Sequence, residues 1–144
     1  MIGYLDTSAF VPLLADEPSS EACNQFWDDA DDIFSSRLLY VETAAALTRA
    51  HRMGRMDAAK HASCLRQLDQ LWPQIAVIEV DENLVVHAAK LTALLGLRGY
   101  DAVHCASAES LEDADLVLAS GDKQLLEASR QLGISTYDTN APDD

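Results

Sequence analysis

Short apolar runs recur along the chain and alternate with longer segments that have helical periodicity. The runs contain mainly Val, Ile and Leu, show no regular polar alternation, and are bounded by polar or turn-forming residues, as buried strands are. The clearest example is "IAVIEV", which is followed directly by the capping residue Asp81. The pattern predicts five strands, at residues 2–5, 32–36, 75–80, 114–120 and 134–137.

Helical segments fill the intervals between the predicted strands. Several begin after Ser, Thr or Asp and end at glycine, which are common N-cap and C-cap residues. Thr7 and Ser8 offer an N-cap for the first segment, which Pro12 should shorten or kink. Gly54 and Gly96 close two of the longer segments. The pattern predicts helices at 9–14, 19–30, 37–54, 56–71, 82–96, 98–108 and 121–133.

The alternation of strands and helices determines the expected fold class. Strands that are apolar throughout are typical of parallel sheets covered by helices on both faces. We therefore expect an α/β fold, a three-layer α/β/α sandwich around a central parallel sheet of about five strands. A chain of 144 residues is long enough for one such core, so a single domain spanning 1–144 is predicted. In these sheets functional groups gather at the carboxyl ends of the strands.

The charge of the chain limits the partners that it can bind. A formal net charge of -14 argues against nucleic acid as a partner, because its phosphates would be repelled. However, half of the ten basic residues fall in one short region, at Arg49, Arg52, Arg55, Lys60 and Arg66. Two interpretations stay open for this region, a solvated helix face and a basic ridge that binds a nucleic-acid backbone.

The N-terminal sequence and the cysteines bear on the cellular location. "MIGYLDTSAF" has no basic start and no apolar run of signal-peptide length, and no later segment approaches the length of a membrane span. We therefore expect a cytoplasmic protein with no membrane partner. Cys23, Cys64 and Cys105 are odd in number and lack a CxxC pair, which favours buried small side chains over disulfides or a cysteine zinc site.

Four acidic residues from separate parts of the chain are predicted to reach the carboxyl edge of the sheet. Asp6 and Asp122 follow strands, whereas Glu42 and Asp101 lie near the starts of helices. Each has an ordinary structural explanation, because the three aspartates suit helix N-termini and Glu42 suits an exposed surface. No local capping rule requires all four to reach the same edge, so the joint pattern favours a functional site.

Charge repulsion would require such a cluster to be compensated. At about 5 Å and an effective dielectric of about 20, each pair of ionised carboxylates repels by about 3 kcal/mol. Protonation or a bound cation would relieve this repulsion, and a set of oxygen ligands suits Mg²⁺ or Mn²⁺. A Mg²⁺ ion held by carboxylates commonly serves phosphate substrates, polarising a phosphoryl oxygen and activating a water for attack. The cluster therefore predicts metal-dependent hydrolysis of a phosphate ester.

Four short motifs, taken in order, resemble those of a known family. They are "YLDTSAFV", "VETAAAL", "RGYDAVHCASA" and "LASGDKQLL", and together they span nearly the whole chain. The chain resembles the PIN-domain ribonucleases, and within them the VapC-type toxins of bacterial and archaeal toxin–antitoxin pairs. The resemblance implies an acidic site that binds Mg²⁺ or Mn²⁺ and hydrolyses single-stranded or loop regions of RNA.

The resemblance also implies roles for individual residues. Asp6 and Asp101 would be the principal metal ligands. Glu42 and Asp122 would complete the catalytic site through a second metal, a bound water or the nucleophile. Three hydroxyl residues would support these carboxylates: Thr7, Ser8 and Ser120.

The same resemblance implies protein partners. VapC-type toxins form homodimers and bind a small cognate antitoxin, whose C-terminal segment lies across the active site. The substrate would be RNA, and the basic region offers Arg49, Arg52 and Arg55 as contacts to its backbone.

The leading hypothesis is thus a metal-dependent endoribonuclease that acts as a toxin and is neutralised by an antitoxin. The alternative is a non-catalytic PIN-fold module that binds RNA or regulates another protein; the presence of all four acids favours the enzyme. Phosphatases of the haloacid dehalogenase type are disfavoured because Ser8 stands where they need a second aspartate. His104 has three open roles, as a hydrogen-bond partner of Asp101, a metal ligand or a core residue.

Overall fold

The structure is a computed structural model that describes residues 1–142. The last two residues of the predicted 1–144 domain, which belong to its acidic tail, lie outside the described residues. The described chain contains one sheet with five strands: β1 (Ile2–Leu5), β2 (Asp32–Ser36), β3 (Ala76–Ile78), β4 (Leu116–Ser120) and β5 (Ser135–Asp138).

Helices cover all the connections between these strands, as the sequence pattern predicts. Pro12 lies in a short 3₁₀ turn, Val11–Leu13, that follows the first helix, so this helix is indeed shortened. A second 3₁₀ turn, Trp72–Gln74, precedes β3. The α-helices of the described chain are α1 (Thr7–Phe10), α2 (Ser20–Asp29), α3 (Leu39–Arg52), α4 (Ala58–Leu71), α5 (Glu82–Leu95), α6 (Gly99–Glu109) and α7 (Lys123–Gln131).

Successive residues of the central strands point into two separate cores. Tyr4 and Leu118 pack with residues of α5, α6 and α7, whereas Leu5 and Ala119 pack with residues of α1 to α4. This alternation is the two-residue period of a strand that is buried on both faces. The predicted three-layer α/β/α sandwich is therefore confirmed.

The strand order creates one special position at the carboxyl edge of the sheet. The order is β3-β2-β1-β4-β5, and every neighbouring pair is parallel. The chain moves outward from β1 through β2 to β3, and then returns to the other side of β1 for β4 and β5. The order thus reverses between β1 and β4, and in parallel sheets ligands bind in the crevice at such a reversal.

The third strand is shorter than the sequence pattern predicts. The third strand contains only Ala76–Ile78 instead of residues 75–80, because its pairing partner β2 ends at Ser36, opposite Ile78. Beyond that point Glu79 pairs with Arg37 through two hydrogen bonds of 2.8 and 2.7 Å, instead of extending the sheet.

Among the described residues, no helix is both long enough and apolar enough to cross a membrane.

Candidate active site

Asp6 directly follows β1, at the point where the strand order reverses. Its Oδ1 accepts hydrogen bonds from Ser8 Oγ at 2.7 Å and from Ala9 N at 3.2 Å. Its Oδ2 accepts a bond from Ser120 Oγ at 2.8 Å, which joins the ends of β1 and β4. Asp6 is therefore the N-cap of α1, and the predicted cap at Thr7 or Ser8 is wrong because the Ser8 hydroxyl donates to Asp6 instead.

The loop after β4 packs tightly against this carboxylate. Gly121 N donates to Ser8 Oγ at 2.7 Å, and Asp122 N donates to Ser120 Oγ at 2.9 Å. A Cβ atom on Gly121 would lie 3.2 Å from Thr139 Oγ1, so a larger residue would disturb this approach. Ser8 and Ser120 thus both donate hydrogen bonds to the Asp6 carboxylate. Thr7 Oγ1 is buried and makes no hydrogen bond within the described residues.

Glu42 reaches the site from the first turn of α3, and its partner is a histidine. Its Oε1 lies 2.9 Å from His104 Nε2, and the opposite ring nitrogen of His104 lies 2.7 Å from Tyr4 Oη. His104 belongs to α6 and is only 2% exposed. It is therefore a buried residue whose hydrogen bonds go to Glu42 and Tyr4. Of the three roles that the sequence left open, a hydrogen bond to Asp101 is not the one observed.

Asp101 and Asp122 form a second part of the site, which an exposed arginine contacts. Arg98 Nε donates to Asp101 Oδ2 at 3.2 Å, and Arg98 Nη2 donates to Asp122 Oδ2 at 3.3 Å. The Arg98 side chain is 61% exposed, while that of Asp101 is only 6% exposed. Asp122 also caps α7, because its Oδ1 accepts bonds from Gln124 N at 2.9 Å and Leu125 N at 3.3 Å.

Burial dominates the electrostatics of the site. It raises the pKa of Asp6, although His104, Ser8 and Ser120 act against the rise. It also raises the pKa of Asp101, helped by the charge of Asp122 and opposed by Arg98. The site holds carboxylates whose negative charge the protein compensates only in part.

Burial alone would lower the pKa of His104, because it disfavours the imidazolium. The hydrogen bond to Glu42 and the charges of Asp6 and Asp101 outweigh it, so the pKa of His104 is raised. The guanidinium of Arg98 offsets part of the acidic charge from within the chain.

The donor atoms of the site fit a hard divalent cation in their chemistry. As the side chains stand, no three His, Cys, Asp or Glu residues within 1–142 are grouped to hold a metal ion. Mg²⁺, however, is usually bound through one or two carboxylates while it keeps several waters. Asp6 and Asp101 are buried carboxylates with raised pKa values, and a cation beside them would supply the missing compensation.

Sequence reasoning missed the part that Arg98 takes in this site. Arg98 lies three residues before Asp101, a spacing at which side chains on a helix meet, and this was the available signal. The predicted RNA contacts lie elsewhere: Arg49, Arg52 and Arg55 are exposed at the far end of α3 and beyond it. At 1.5 Å per residue, Arg49 is about 10 Å along the helix from Glu42 and Arg52 about 15 Å.

Comparison with known proteins identifies the family. The PIN domain profile matches residues 3–131. The chain is 38% identical over 122 residues to ribonucleases VapC45 and VapC49, from two strains of Mycobacterium tuberculosis, and the match covers 85% of this chain and 85% of each relative. The match to the PIN domain extends over the segments that supply all four acids.

Solved structures of low sequence identity share the fold. FitAcB from Neisseria gonorrhoeae has a TM-score of 0.72 at 19% identity, covering 96% of this chain and 98% of that one. VapC20 of Mycobacterium tuberculosis, described as a sarcin–ricin loop cleaving toxin, has a TM-score of 0.69 at 16% identity, covering 88% and 94%. A toxin–antitoxin complex from Klebsiella pneumoniae has a TM-score of 0.64 at 12% identity, covering 86% and 89%. The chain therefore belongs to the PIN-domain family, and within it to the VapC group.

Proposed function

We propose that this protein is a metal-dependent endoribonuclease and the toxin of a toxin–antitoxin pair. The observation that carries the proposal is the gathering of Asp6, Glu42, Asp101 and Asp122 around the strand-order reversal of a VapC-group chain. The relatives at 38% identity are named ribonucleases, which supports RNA as the substrate.

Different residues of the chain would have different roles in RNA hydrolysis. Asp6 and Asp101 would hold Mg²⁺, or Mn²⁺ in its place, with Glu42 and Asp122 completing the site through a second ion or through bound water. A bound cation of this kind polarises a phosphoryl oxygen and lowers the pKa of a bound water. Ser8 and Ser120 fix the orientation of Asp6 through bonds of 2.7 and 2.8 Å, so its carboxylate is ordered before substrate binds.

Arg98 would change partners when RNA binds. A scissile phosphodiester that enters the site carries negative charge, and Arg98 is the guanidinium that already contacts two of its acids. Asp101 and Asp122 would then hold the divalent cation, and Arg98 would be free of both. Its guanidinium would contact the phosphate, a partner that guanidinium groups bind well.

Partners follow from the same family. The fold neighbour from Klebsiella pneumoniae is a toxin–antitoxin complex, which supports a small cognate antitoxin for this chain. A homodimer is part of the proposal, and large exposed apolar side chains are available for contacts between proteins. They include Tyr40, Val41, Val85, Val86 and Leu94.

A cleavage assay tests the proposal. The purified protein is incubated with a panel of single-stranded and stem-loop RNAs in Mg²⁺, in Mn²⁺ and in EDTA. An Asp101→Asn variant is prepared in parallel to control for contaminating nucleases. We expect products only with the wild-type protein and a divalent cation. Cleavage by the variant, or in EDTA, would contradict the proposal.

The chemistry of the product ends is a second readout. Attack by water leaves no cyclic phosphate, whereas attack by the ribose 2′-OH produces a 2′,3′-cyclic phosphate and would contradict hydrolysis. RNA binding with no product under any condition would instead support a non-catalytic RNA-binding module. The antitoxin is tested by co-expression with a small protein encoded beside this one, followed by co-purification.

A further inference from the structure

A buried hydrogen-bond chain connects the core of the protein to the acidic site. It runs from Tyr4 in β1, through His104 in α6, to Glu42 in α3, with bonds of 2.7 and 2.9 Å. Tyr4 is completely buried, and its ring meets the ring of His104 edge to face at 5.8 Å. The imidazole is thus fixed by packing and by a bond at each nitrogen.

The bond from His104 to Glu42 has the same direction in either protonation state of the ring. A carboxylate accepts only, so Nε2 of His104 carries the proton that faces Glu42. In the neutral ring Nδ1 then accepts from the Tyr4 hydroxyl, and in the imidazolium Nδ1 donates to the Tyr4 oxygen. Burial raises the pKa of Tyr4 strongly, which keeps its hydroxyl protonated in both cases. The chain therefore orients Glu42 without any need for titration.

Glu42 depends on this bond more than Asp6 depends on any one of its own. Asp6 accepts from two hydroxyls and a backbone N–H. Within the described residues, His104 makes the one hydrogen bond to the carboxylate of Glu42. The Glu42 side chain is 20% exposed and has three rotatable bonds, so it would sample several rotamers if His104 were absent.

We propose that His104 is a positioning residue that holds the Glu42 carboxylate in the acidic site, with Tyr4 fixing the ring that makes this bond. The proposal rests on the proposed function, because it assumes that Glu42 serves a bound divalent cation there. In many metal sites a carboxylate orients a histidine ligand; here a histidine orients a carboxylate. A histidine that only fills the core would leave the cation affinity unchanged when replaced.

A double-mutant cycle on Mn²⁺ affinity tests the proposal, with calorimetry as the readout. The cycle compares wild type, Glu42→Gln, His104→Leu and the double variant. We expect His104→Leu to weaken Mn²⁺ binding about 10-fold or more, in the range seen when groups that orient ligands are removed. In the Glu42→Gln background the same change should have no further effect, because the carboxylate through which His104 acts is gone. His104→Gln keeps an N–H donor and should restore most of the affinity.

Two controls separate positioning from damage to the core. Cys105→Ala changes a neighbouring, completely buried side chain that bonds none of the four acids, and it should leave Mn²⁺ affinity unchanged. If His104→Leu does not fold, Tyr4→Phe carries the test, with an expected 2- to 5-fold loss that disappears in the Glu42→Gln background.

The outcomes are distinguishable. Wild-type affinity in His104→Leu, or losses that add in the double variant, would overturn the positioning role alone. Absence of Mn²⁺ binding by the wild-type protein would overturn the proposed metal site, and the positioning role with it.

Discussion

The acidic site has two halves that the protein builds in opposite ways. We name the halves after the exposure of the side chains that contact the carboxylates. In the buried half, Asp6 and Glu42 accept hydrogen bonds from Ser120 and His104, which are both at most 2% exposed. In the exposed half, Asp101 and Asp122 are joined by Arg98, whose side chain is 61% exposed, although Asp101 itself is buried. The fold orders the carboxylates of the buried half. In the exposed half, the Arg98 guanidinium neutralises the carboxylates, and a metal ion could displace it. Substitutions in the two halves should therefore have different signatures.

The largest effect is expected in the buried half. Asp6→Asn should reduce metal-dependent RNA cleavage by about 100-fold or more, because it would remove the charge of a proposed metal ligand while keeping the size of the side chain. Asp122→Asn, in the exposed half, should reduce cleavage by only about 10-fold. Initial rates at saturating Mg²⁺ measure both. Equal losses for the two variants would show that the division into halves has no functional meaning.

The metal affinity of the exposed half should change when Arg98 is replaced. Arg98→Gln removes the guanidinium that competes for Asp101 and Asp122, so Mn²⁺ affinity measured by calorimetry should rise about 3- to 10-fold, a gain of roughly 1 kcal/mol. The gain should shrink at high salt, which screens the exposed pair. Arg37→Gln is the matched control, because Arg37 pairs with Glu79 and should leave the affinity unchanged. A loss of affinity in Arg98→Gln would mean that Arg98 supports the metal site instead of competing with it.

The Asp6 carboxylate, in the buried half, should lower the free energy of unfolding at neutral pH. The folded-state pKa of Asp6 lies above its unfolded value, so its contribution to stability is present at low pH and is lost as pH rises through the raised pKa. In EDTA, Asp6→Asn should therefore unfold at higher denaturant concentration than wild type at pH 7, and the difference should narrow toward pH 4. Urea midpoints across this range measure the effect. Asp16→Asn changes an exposed loop residue and serves as the control. A difference in urea midpoint that does not change with pH would contradict the proposed contribution of Asp6.

The smallest effect is expected outside both halves. Replacing Arg49, Arg52 and Arg55 together by Gln should weaken RNA binding only a few-fold. Each lost phosphate contact should reduce the slope of log affinity against log salt by about 0.7 for single-stranded RNA. Fluorescence anisotropy at several salt concentrations, in Ca²⁺ to prevent turnover, measures this. An unchanged slope would show that these three residues do not contact the RNA backbone.

The two halves also differ in how far the sequence predicts them. Asp6 and Ser120 end apolar runs that can be recognised as parallel strands, so their meeting follows from the fold class. The partner of Glu42 could not be predicted, because His104 is 62 residues away and the contact depends on how α3 and α6 pack against opposite faces of the sheet. Arg98 could be placed near Asp101 by helix spacing, but its bond to Asp122 required the turn after β4. Sequence patterns thus predict the elements and their ends, while side-chain partners across layers depend on packing.

The order of the strands has a further consequence during synthesis of the protein. Ser120, which orders the Asp6 carboxylate, is synthesised 114 residues after it. Asp122 follows two residues later. The central strand β1 must therefore wait for β4 before the acidic site can close, since such non-local pairing forms late. A nascent chain that lacks β4 therefore holds Asp6 without Ser120, so the acidic site would not be assembled before β4 has left the ribosome.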